Sequence, residues 1–352
     1  MARKGQGIEI LTGWQAGIGG EDFLRELVQR TVQQVLEAEM TGFPGAETYR
    51  RSEKAFVAAL LQMYVEGVST RKVTEITEAL CGLEISKSQV SGLTAKLDAE
   101  IQEWRMRLLT EEYPYLIFDA RYEKVRRGGS VVSQGVLVAI GISAAGYREV
   151  LGCWVAESES EASWGAGFIE LKQRGLSGVS YIVSDDHKGM VKAIERHFQG
   201  AVWQRCQVHF VRNALALCVR RLRPPVLRLM KAVTESATRE AAQAALAVAI
   251  AELEKKAPKV ARLLEESGEE ILGVYALPEA HRKRMRTTNM LERQNQELKR
   301  RTRVIRVFPH ERSLLRLIAA LLMETNQEWM GRIYLSMEEE AGAAIEAIAE
   351  AA

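Results

Sequence analysis

The hydrophobic pattern of the sequence changes at residues 115–119, which read Tyr-Leu-Ile-Phe-Asp. Four apolar residues followed by a carboxylate are typical of a buried strand that ends in a polar residue. A second run, residues 179–184, reads Val-Ser-Tyr-Ile-Val-Ser and is followed directly by Asp185. The two runs predict strands of one sheet, with Asp119 and Asp185 at the strand ends.

A third carboxylate, Glu292, opens a basic and polar helix that begins near Asn289. Acidic residues at two strand ends and a helix start suggest a site for phosphate chemistry, because Mg²⁺ and Mn²⁺ prefer carboxylate oxygens. Other roles stay open from the residues alone. Asp119 could simply end a strand, Asp185 or Asp186 could cap the next helix, and Glu292 could form a capping box with Asn289.

The surrounding pattern predicts an α/β core. We predict strands at residues 115–119, 134–143, 147–156, 179–184 and 201–204, and helices at 159–174 and 187–197. The sequences at 126–130 and 144–146 are rich in glycine and alanine and indicate hairpin turns. Strands that first pair as hairpins and then alternate with helices predict a mixed sheet.

The second half of the chain is predicted to leave this core and return to it. A helix from residue 207 to about 221 is followed by Pro224-Pro225, which we interpret as a break. The nearly continuous helical pattern that follows predicts an all-α insertion over residues 213–286. The core then comprises residues 111–212 and 287–335, and an acidic tail covers residues 336–352.

The N-terminal part is predicted to be helical. Residues 1–50 form one helical segment with a glycine-rich start, and residues 51–110 contain three short helices, each preceded by a serine. A short helix, a tight turn and a polar-faced helix describe a helix-turn-helix. Its Lys87, Ser88 and Gln89 would face the DNA major groove. An ordinary three-helix bundle would give the same pattern.

Positive charge is concentrated in two blocks although the net charge is only +2. Residues 205–231 contain seven Lys or Arg and no acid, and residues 282–306 contain ten against two Glu. This distribution predicts a polyanion-binding face, although each block alone could be a solvated basic surface. The predicted DNA contacts in these blocks are Arg205, Arg212, Arg293, Lys299, Arg300 and Arg301.

The four cysteines are widely spaced and form no Cys-x-x-Cys pair, which indicates a reducing cytoplasm rather than a disulfide framework. We find neither a signal peptide nor an apolar run long enough to cross a membrane. Cys206 and His209 could suggest zinc, but no companion pair completes a four-ligand site. We expect them to support the site or to contact DNA.

Several motifs together resemble one family. Residues 113–122 read Tyr-Pro-Tyr-Leu-Ile-Phe-Asp-Ala-Arg-Tyr, and residues 183–189 read Val-Ser-Asp-Asp-His-Lys-Gly. Residues 204–213 read Gln-Arg-Cys-Gln-Val-His-Phe-Val-Arg-Asn, and residues 288–293 read Thr-Asn-Met-Leu-Glu-Arg. In this order and spacing they resemble the bacterial Mutator-type insertion-sequence transposases, over roughly residues 50–335.

The resemblance implies a ribonuclease-H-like core with a DDE triad and a helical insertion before the glutamate. By position the triad maps to Asp119, Asp185 and Glu292, which would bind Mg²⁺ or Mn²⁺. Asp185 occupies the family's Ser-Asp position, so Asp186 is left as a helix cap or a supporting group. The resemblance also identifies Cys206 and His209 as the family's Cys-x-x-His element.

The implied function is a DNA transposase that cleaves insertion-sequence ends and transfers strands into target DNA. Its partners would be the terminal inverted repeats, the target DNA and a second copy of the chain, in the bacterial cytoplasm at the nucleoid. The alternatives are a transposase-derived DNA-binding regulator and a structure-specific nuclease on the same core. Family members usually have a further basic stretch before the helix-turn-helix, whereas here Arg50-Arg51 runs almost directly into residues 52–56.

Overall fold

A computed structural model describes residues 97–337 together with Met63, Lys72, Val73 and Glu75. It describes only the backbone of Leu97, Glu292, Arg293, Gln294, Glu297 and Val304. The predicted segment 1–50, the proposed DNA contacts Lys87, Ser88 and Gln89, and residues 338–352 lie outside the described residues. The chain divides into two compact units, Met1–Leu97 and Asp98–Ala352, and the second contains the whole sheet.

A mixed five-stranded sheet is the centre of the described chain. Its strands are β1 (Tyr115–Arg127), β2 (Ser130–Ile142), β3 (Arg148–Ala156), β4 (Tyr181–Ser184) and β5 (Val202–Arg205). Their spatial order is β3-β2-β1-β4-β5. Strands β1, β2 and β3 pair with one another in antiparallel fashion, whereas β4 pairs parallel to β1, and β5 pairs parallel to β4. The predicted mixed α/β class is therefore confirmed.

Helices surround this sheet and build a second, all-helical layer. They are α1 (Leu97–Arg105), α2 (Glu161–Gln173), α3 (Lys188–His197), α4 (Gln207–Ala216), α5 (Arg223–Thr234), α6 (Arg239–Leu253), α7 (Pro258–Ser267), α8 (Glu279–Met285), α9 (Asn289–Ile305) and α10 (Glu311–Trp329). Short 3-10 turns occur at Arg220–Leu222, Gly268–Ile271 and Gly273–Ala276. No helix in the described part of the chain has the length and apolar character needed to span a membrane.

Strand β1 is longer than its apolar run predicted. It pairs with β2 from Tyr115 opposite Ile142 to Arg127 opposite Ser130. The two-residue turn between them is Gly128-Gly129, with φ values of 54° and 83°, a conformation that glycine adopts without strain. The predicted strand end at Asp119 is wrong, because backbone pairing with β2 extends the strand through a polar half in which only Val125 is buried.

The two faces of the sheet are covered by different helices. Helices α2 and α3 cover one face, where Phe118 packs against Phe168 and Trp164 at ring centroid distances of 4.7 and 5.6 Å. Helix α10 packs on β3 and β1. The apolar residues of α10 do not belong to the cluster around Phe118. Alternate residues of a strand point to opposite faces of the sheet, and α10 covers the other face. Both faces of β1 are thus buried around the position of Asp119.

Helices α5, α6 and α7 lie within residues 213–286, the range of the predicted all-α insertion, and we call them the insertion. Their buried apolar residues make a core of their own, which also includes Phe210 and Ala214 of α4. The predicted break at Pro224-Pro225 is wrong. Both prolines lie in the first turn of α5, where a missing N–H is tolerated. The interruption comes earlier, since α4 ends at Ala216.

Helix α9 returns the chain to the sheet along the outer half of β1. Strand β4 is only four residues long, so it leaves this edge of β1 without a strand partner. The turn after α9 fills it, because Phe308 N donates to Lys124 O and Arg126 N donates to Phe308 O, both at 2.8 Å. Arg121 Nη1 donates to Asn295 O of α9 at 2.9 Å. Because β4 is short, α9 and the turn that follows it can lie beside the outer half of β1.

An ion pair joins α1 to α10. Arg316 is 5% exposed and binds Asp98 twice, from Nε to Oδ1 at 2.6 Å and from Nη2 to Oδ2 at 2.9 Å. The hydrogen bond from Arg316 lowers the pKa of the Asp98 carboxyl below its ordinary 3.8. Arg312 contacts the same carboxylate at 2.6 Å, but its side chain is 71% exposed.

Replacing Arg316 by leucine should lower the free energy of unfolding by about 2 kcal/mol at pH 7, because a half-buried carboxylate loses a two-point charged partner. The matched variant Arg312→Leu should cost less than about 1 kcal/mol. Urea unfolding of the full chain measures both values. Since the folded pKa of Asp98 is lowered, the Arg316 contribution is present above pH 3.8 and is lost as the pH falls below that value. Equal losses for the two variants at pH 7 would contradict this assignment.

Candidate catalytic site

Strands β1 and β4 bring Asp119 and Asp185 next to each other. Their parallel register pairs Tyr115 with Tyr181 and Ile117 with Val183. Asp119 follows Ile117 by two residues, and Asp185 follows Val183 by two residues. The same register therefore places the two aspartates side by side. Asp119 is 8% exposed, whereas the side chain of Asp185, directly after β4, is 40% exposed. One carboxylate is therefore buried and its neighbour is accessible.

Burial raises the pKa of the Asp119 carboxyl to about 7. The cation of His209 and the backbone of Ala120 oppose this shift, while the charges of Asp185 and Glu159 add to it. A carboxylate in this position needs nearby positive charge to offset its desolvation. Mg²⁺ supplies such charge and prefers carboxylate oxygens, so the Asp119–Asp185 pair fits a hard divalent ion.

Helix α9 is anchored directly to Asp119. Asn295 Nδ2 donates to Asp119 Oδ2 at 2.5 Å. Glu292 precedes Asn295 by three residues, and positions three apart are neighbours on a helix surface. Thr288, rather than Asn289, is at the N-cap of α9, so the alternative of a capping box from Asn289 is wrong. The backbone thus brings position 292 to within one helical turn of the residue that contacts Asp119.

The described side chains do not by themselves complete a metal site. Among them, no group of three His, Cys, Asp or Glu could hold an ion. Glu292 is not among these side chains, because only its backbone is described. The third predicted ligand therefore remains a prediction based on the position of α9.

Cys206 lies at the start of α4 and accepts hydrogen bonds from the start of α9. Thr288 donates to its sulfur from the backbone N at 3.3 Å and from Oγ1 at 3.4 Å. Burial raises the pKa of the Cys206 thiol, but hydrogen bonds from His209 and Thr288 outweigh it and leave the pKa lowered. Cys206 N also donates to Ser184 O at 2.7 Å. This cysteine therefore connects the end of β4 to α9.

His209 extends this connection to Asp185. Its hydrogen bond with Cys206 raises the pKa of the imidazole to about 9, and the charges of Asp185 and Asp119 contribute. His209 Nδ1 lies 3.9 Å from Asp185 Oδ1. A positive imidazole beside both carboxylates stabilises their ionised forms.

Asp186 was predicted to be a helix cap or a supporting group, and it pairs with an arginine instead of capping α3. His187 is the N-cap residue of α3, so the capping role proposed for Asp186 is wrong. Asp186 Oδ2 pairs with Arg205 Nη2 at 2.9 Å, and Arg205 Nη1 binds Glu270 Oε2 at 2.8 Å. Arg205 is 3% exposed, so it is not available for the DNA contact predicted for it. It joins the turn after β4 to the helical insertion.

The other predicted DNA contacts divide into exposed and buried side chains. Arg212, Lys299 and Arg300 are exposed. Arg301 is 9% exposed and lies 3.7 Å from Glu324, which does not fit its predicted contact with DNA. The side chain of Arg293 is outside the described atoms. Among the side chains of α9 that the structure describes, the exposed basic residues are Lys299, Arg300 and Arg303.

One acidic residue near the site did not stand out in the sequence. Glu159 lies between β3 and α2, and its side chain is 9% exposed. Burial raises its pKa, and the charge of Asp185 adds to the rise. Glu159 Oε1 is 3.7 Å from His187 Nδ1. From the sequence alone, Glu159 could not be distinguished from Glu157. Only the fold buries Glu159 and leaves Glu157 exposed.

Asp119→Asn should stabilise the metal-free protein by about 2–4 kcal/mol at pH 8, and by about half that or less at pH 5. The unfolded carboxyl ionises near 3.8 and the folded one near 7, so the wild type loses stability as the pH rises between these values. Asparagine cannot ionise and avoids this loss. Thermal unfolding with a chelator at both pH values measures the difference.

Asp186→Asn is the control of opposite sign, because it weakens the ion pair of the buried Arg205 and should destabilise the protein at both pH values. A destabilising Asp119→Asn at pH 8 would contradict the assigned pKa.

Comparison with known proteins identifies the family. A family model for transposases of the Mutator family matches residues 46–332. The chain is 39% identical over 368 residues to the transposase for insertion sequence element ISRM5 of Rhizobium meliloti (strain 1021), with 92% of each chain covered. It is 47% identical over 299 residues to the transposase for IS406 of Burkholderia multivorans, covering 84% of this chain and 77% of the relative.

A third relative is the transposase for IS256 in transposon Tn4001 of Staphylococcus aureus, which is 41% identical over 299 residues, or 83% of this chain and 76% of the relative. The family resemblance of the sequence motifs is confirmed by these matches. Since the family model spans most of the sequence and these relatives align with more than four fifths of it, the chain belongs to the Mutator family of transposases.

Proposed function

We propose that the protein cleaves the ends of its insertion sequence and transfers the freed strands into target DNA, using Asp119, Asp185 and Glu292 as a DDE triad. The observation that carries this proposal is the docking of α9 on β1. The β1–β4 register aligns the two aspartates, and the bond from Asn295 to Asp119 brings the helix of Glu292 to the same place. The names of the relatives support an insertion sequence as the substrate.

The sheet supports a ribonuclease-H-like core. Three antiparallel strands are followed by two parallel ones, in the order β3-β2-β1-β4-β5. The helical insertion separates α4 from α9, as the family resemblance implies. In such a core the two aspartates come from neighbouring central strands and the glutamate from a later helix.

Asp119, Asp185 and Glu292 would together hold Mg²⁺ or Mn²⁺. Such ions would supply positive charge that stabilises the attacking and leaving oxygens of an in-line phosphoryl transfer. The protein's own groups prepare the site for this task. Asn295 orients the carboxylate of Asp119, His209 places positive charge beside Asp185, and Cys206 holds the start of α9.

Double-stranded DNA is the proposed partner. The exposed basic residues of α9 follow Glu292 on the same helix, where they can neutralise phosphates next to the reacting bond. The element has two ends, which must be held together for joining, so we propose a homodimer. Its place of action would be the nucleoid in the bacterial cytoplasm.

Asp119→Asn should reduce cleavage by about a thousandfold or more, the scale expected when a group that stabilises the transition state is removed. Binding to the same DNA should stay within about threefold. The assay uses the full chain, Mg²⁺ and labelled duplexes taken from the DNA that flanks this reading frame, and it scores cleaved and joined products separately. Glu266→Gln, an exposed acid on α7, is the matched control and should cleave like the wild type.

The products distinguish the proposal from its alternatives. Cleavage and joining by the wild type, abolished in Asp119→Asn, supports a transposase. Cleavage without joining identifies a nuclease, and binding without cleavage identifies a regulator, and either result contradicts the proposal.

The double variant Lys299→Gln/Arg303→Gln should weaken DNA binding at all sequences and make it less sensitive to salt. Each phosphate contact contributes about 0.9 to the slope of log affinity against log salt, so the loss of two should reduce that slope by about 2. Lys255→Gln/Lys256→Gln, in the turn just after α6, removes the same charge elsewhere and is the control. An equal effect of both pairs would contradict a DNA-binding face on α9.

A further inference from the structure

We propose that Glu159 is a positioning residue of this site, whose carboxylate holds His187 and so fixes the turn that carries Asp185 beside Asp119. The inference rests on the proposed function, because positioning matters only if the two aspartates act together. Neither the sequence motifs nor the family resemblance assigned a role to Glu159 or His187.

The carboxylate of Glu159 is confined by its surroundings. Its Oε1 accepts from Trp164 Nε1 at 3.4 Å, and Trp164 itself is fully buried in the core. Its backbone N donates to Tyr122 Oη at 3.3 Å. Only 9% of the Glu159 side chain is exposed. A side chain held this closely has few alternative positions, which suits it to hold another residue in place.

His187 connects Glu159 to the catalytic turn. It follows Asp185 by two residues and is the N-cap residue of α3, without a side-chain hydrogen bond of its own to that helix. Its Nδ1 is buried and has no hydrogen-bond partner among the described residues, and Glu159 Oε1 lies 3.7 Å away. An unsatisfied buried nitrogen is costly. A small approach of Glu159 Oε1 to His187 Nδ1 would complete a hydrogen bond between them and would fix the turn between β4 and α3.

Backbone packing couples the same two segments. A Cβ at Gly189 would lie 2.8 Å from Ser160 Cα and from Glu161 N, so the first turn of α3 packs directly on the chain that follows Glu159. The side chains of Ser160 and Ser163 form a capping box that fixes this start of α2. Movement of Glu159 therefore cannot be separated from movement of the turn after β4.

The charge of Glu159 also reaches the two aspartates. After burial, which is the main cause, the charge of Glu159 helps to raise the pKa of Asp119, and Asp185 helps to raise that of Glu159. These residues do not form a three-ligand metal site among the described side chains. The contacts of Glu159 with Trp164 and His187 assign it to positioning.

The first test measures local order without any metal. Glu159→Gln keeps the size of the side chain and an oxygen that can accept from Trp164, and it replaces the carboxylate beside His187 by a neutral amide. Hydrogen–deuterium exchange of the peptide covering residues 184–190 should become about tenfold faster. Glu157→Gln, two residues earlier and 73% exposed, is the matched control and should leave exchange unchanged.

The second test measures Mn²⁺ binding to the full chain by the electron paramagnetic resonance signal of free Mn²⁺. Glu159→Gln should raise the dissociation constant about tenfold, with no loss of folded protein by thermal melting. His187→Ala should weaken binding as well. The double variant should be no weaker than Glu159→Gln alone, because the two residues act through one contact.

Unchanged exchange and unchanged Mn²⁺ affinity in Glu159→Gln would overturn the inference. So would additive effects in the double variant, because they would show that Glu159 does not act through His187. Failure of the proposed function gives a different result, namely equal Mn²⁺ binding by the wild type and Asp119→Asn. In that case the exchange measurement still reports whether Glu159 orders the turn.

Discussion

The hydrogen bond from Asn295 to Asp119 is the contact on which the site depends, because it joins positions 176 residues apart in the chain. Asp119 is buried between two covered faces of the sheet, where its charge is unfavourable. A donor from α9 and the cation of His209 offset part of that cost. In the site we propose, the same desolvation that destabilises the carboxylate would make it a strong partner for a divalent ion, so stability would be exchanged for function at this position.

The rest of the architecture maintains that contact although the chain leaves the sheet between β5 and α9. The insertion has its own core, and α4 contributes Phe210 and Ala214 to it. Arg205 pairs with Asp186 on one side and Glu270 on the other, which ties the turn after β4 to the insertion. Cys206 then holds the first residues of α9 through Thr288. The insertion therefore has its own apolar core, while contacts of Arg205 and Cys206 hold its two ends next to the candidate site.

The sequence predicted what depends on local pattern. Two apolar runs followed by aspartate predicted adjacent strands, and the β1–β4 register brings Asp119 and Asp185 together. The features that the sequence did not predict depend on contacts between residues far apart in the chain. The polar half of β1 is a strand because β2 pairs with it, and Arg205 is buried because Glu270, 65 residues away, accepts from it. Glu159 and Glu157 look alike in sequence, and only packing against Trp164 and His187 separates them.

We propose that three carboxylates from β1, the end of β4 and α9 share one metal site. Crystals of the full chain grown with Mn²⁺ and measured for anomalous scattering give the decisive test. We expect anomalous density about 2.1 Å from oxygens of Asp119, Asp185 and Glu292. Density that Glu292 does not approach, or Mn²⁺ bound only elsewhere on the protein, would contradict it.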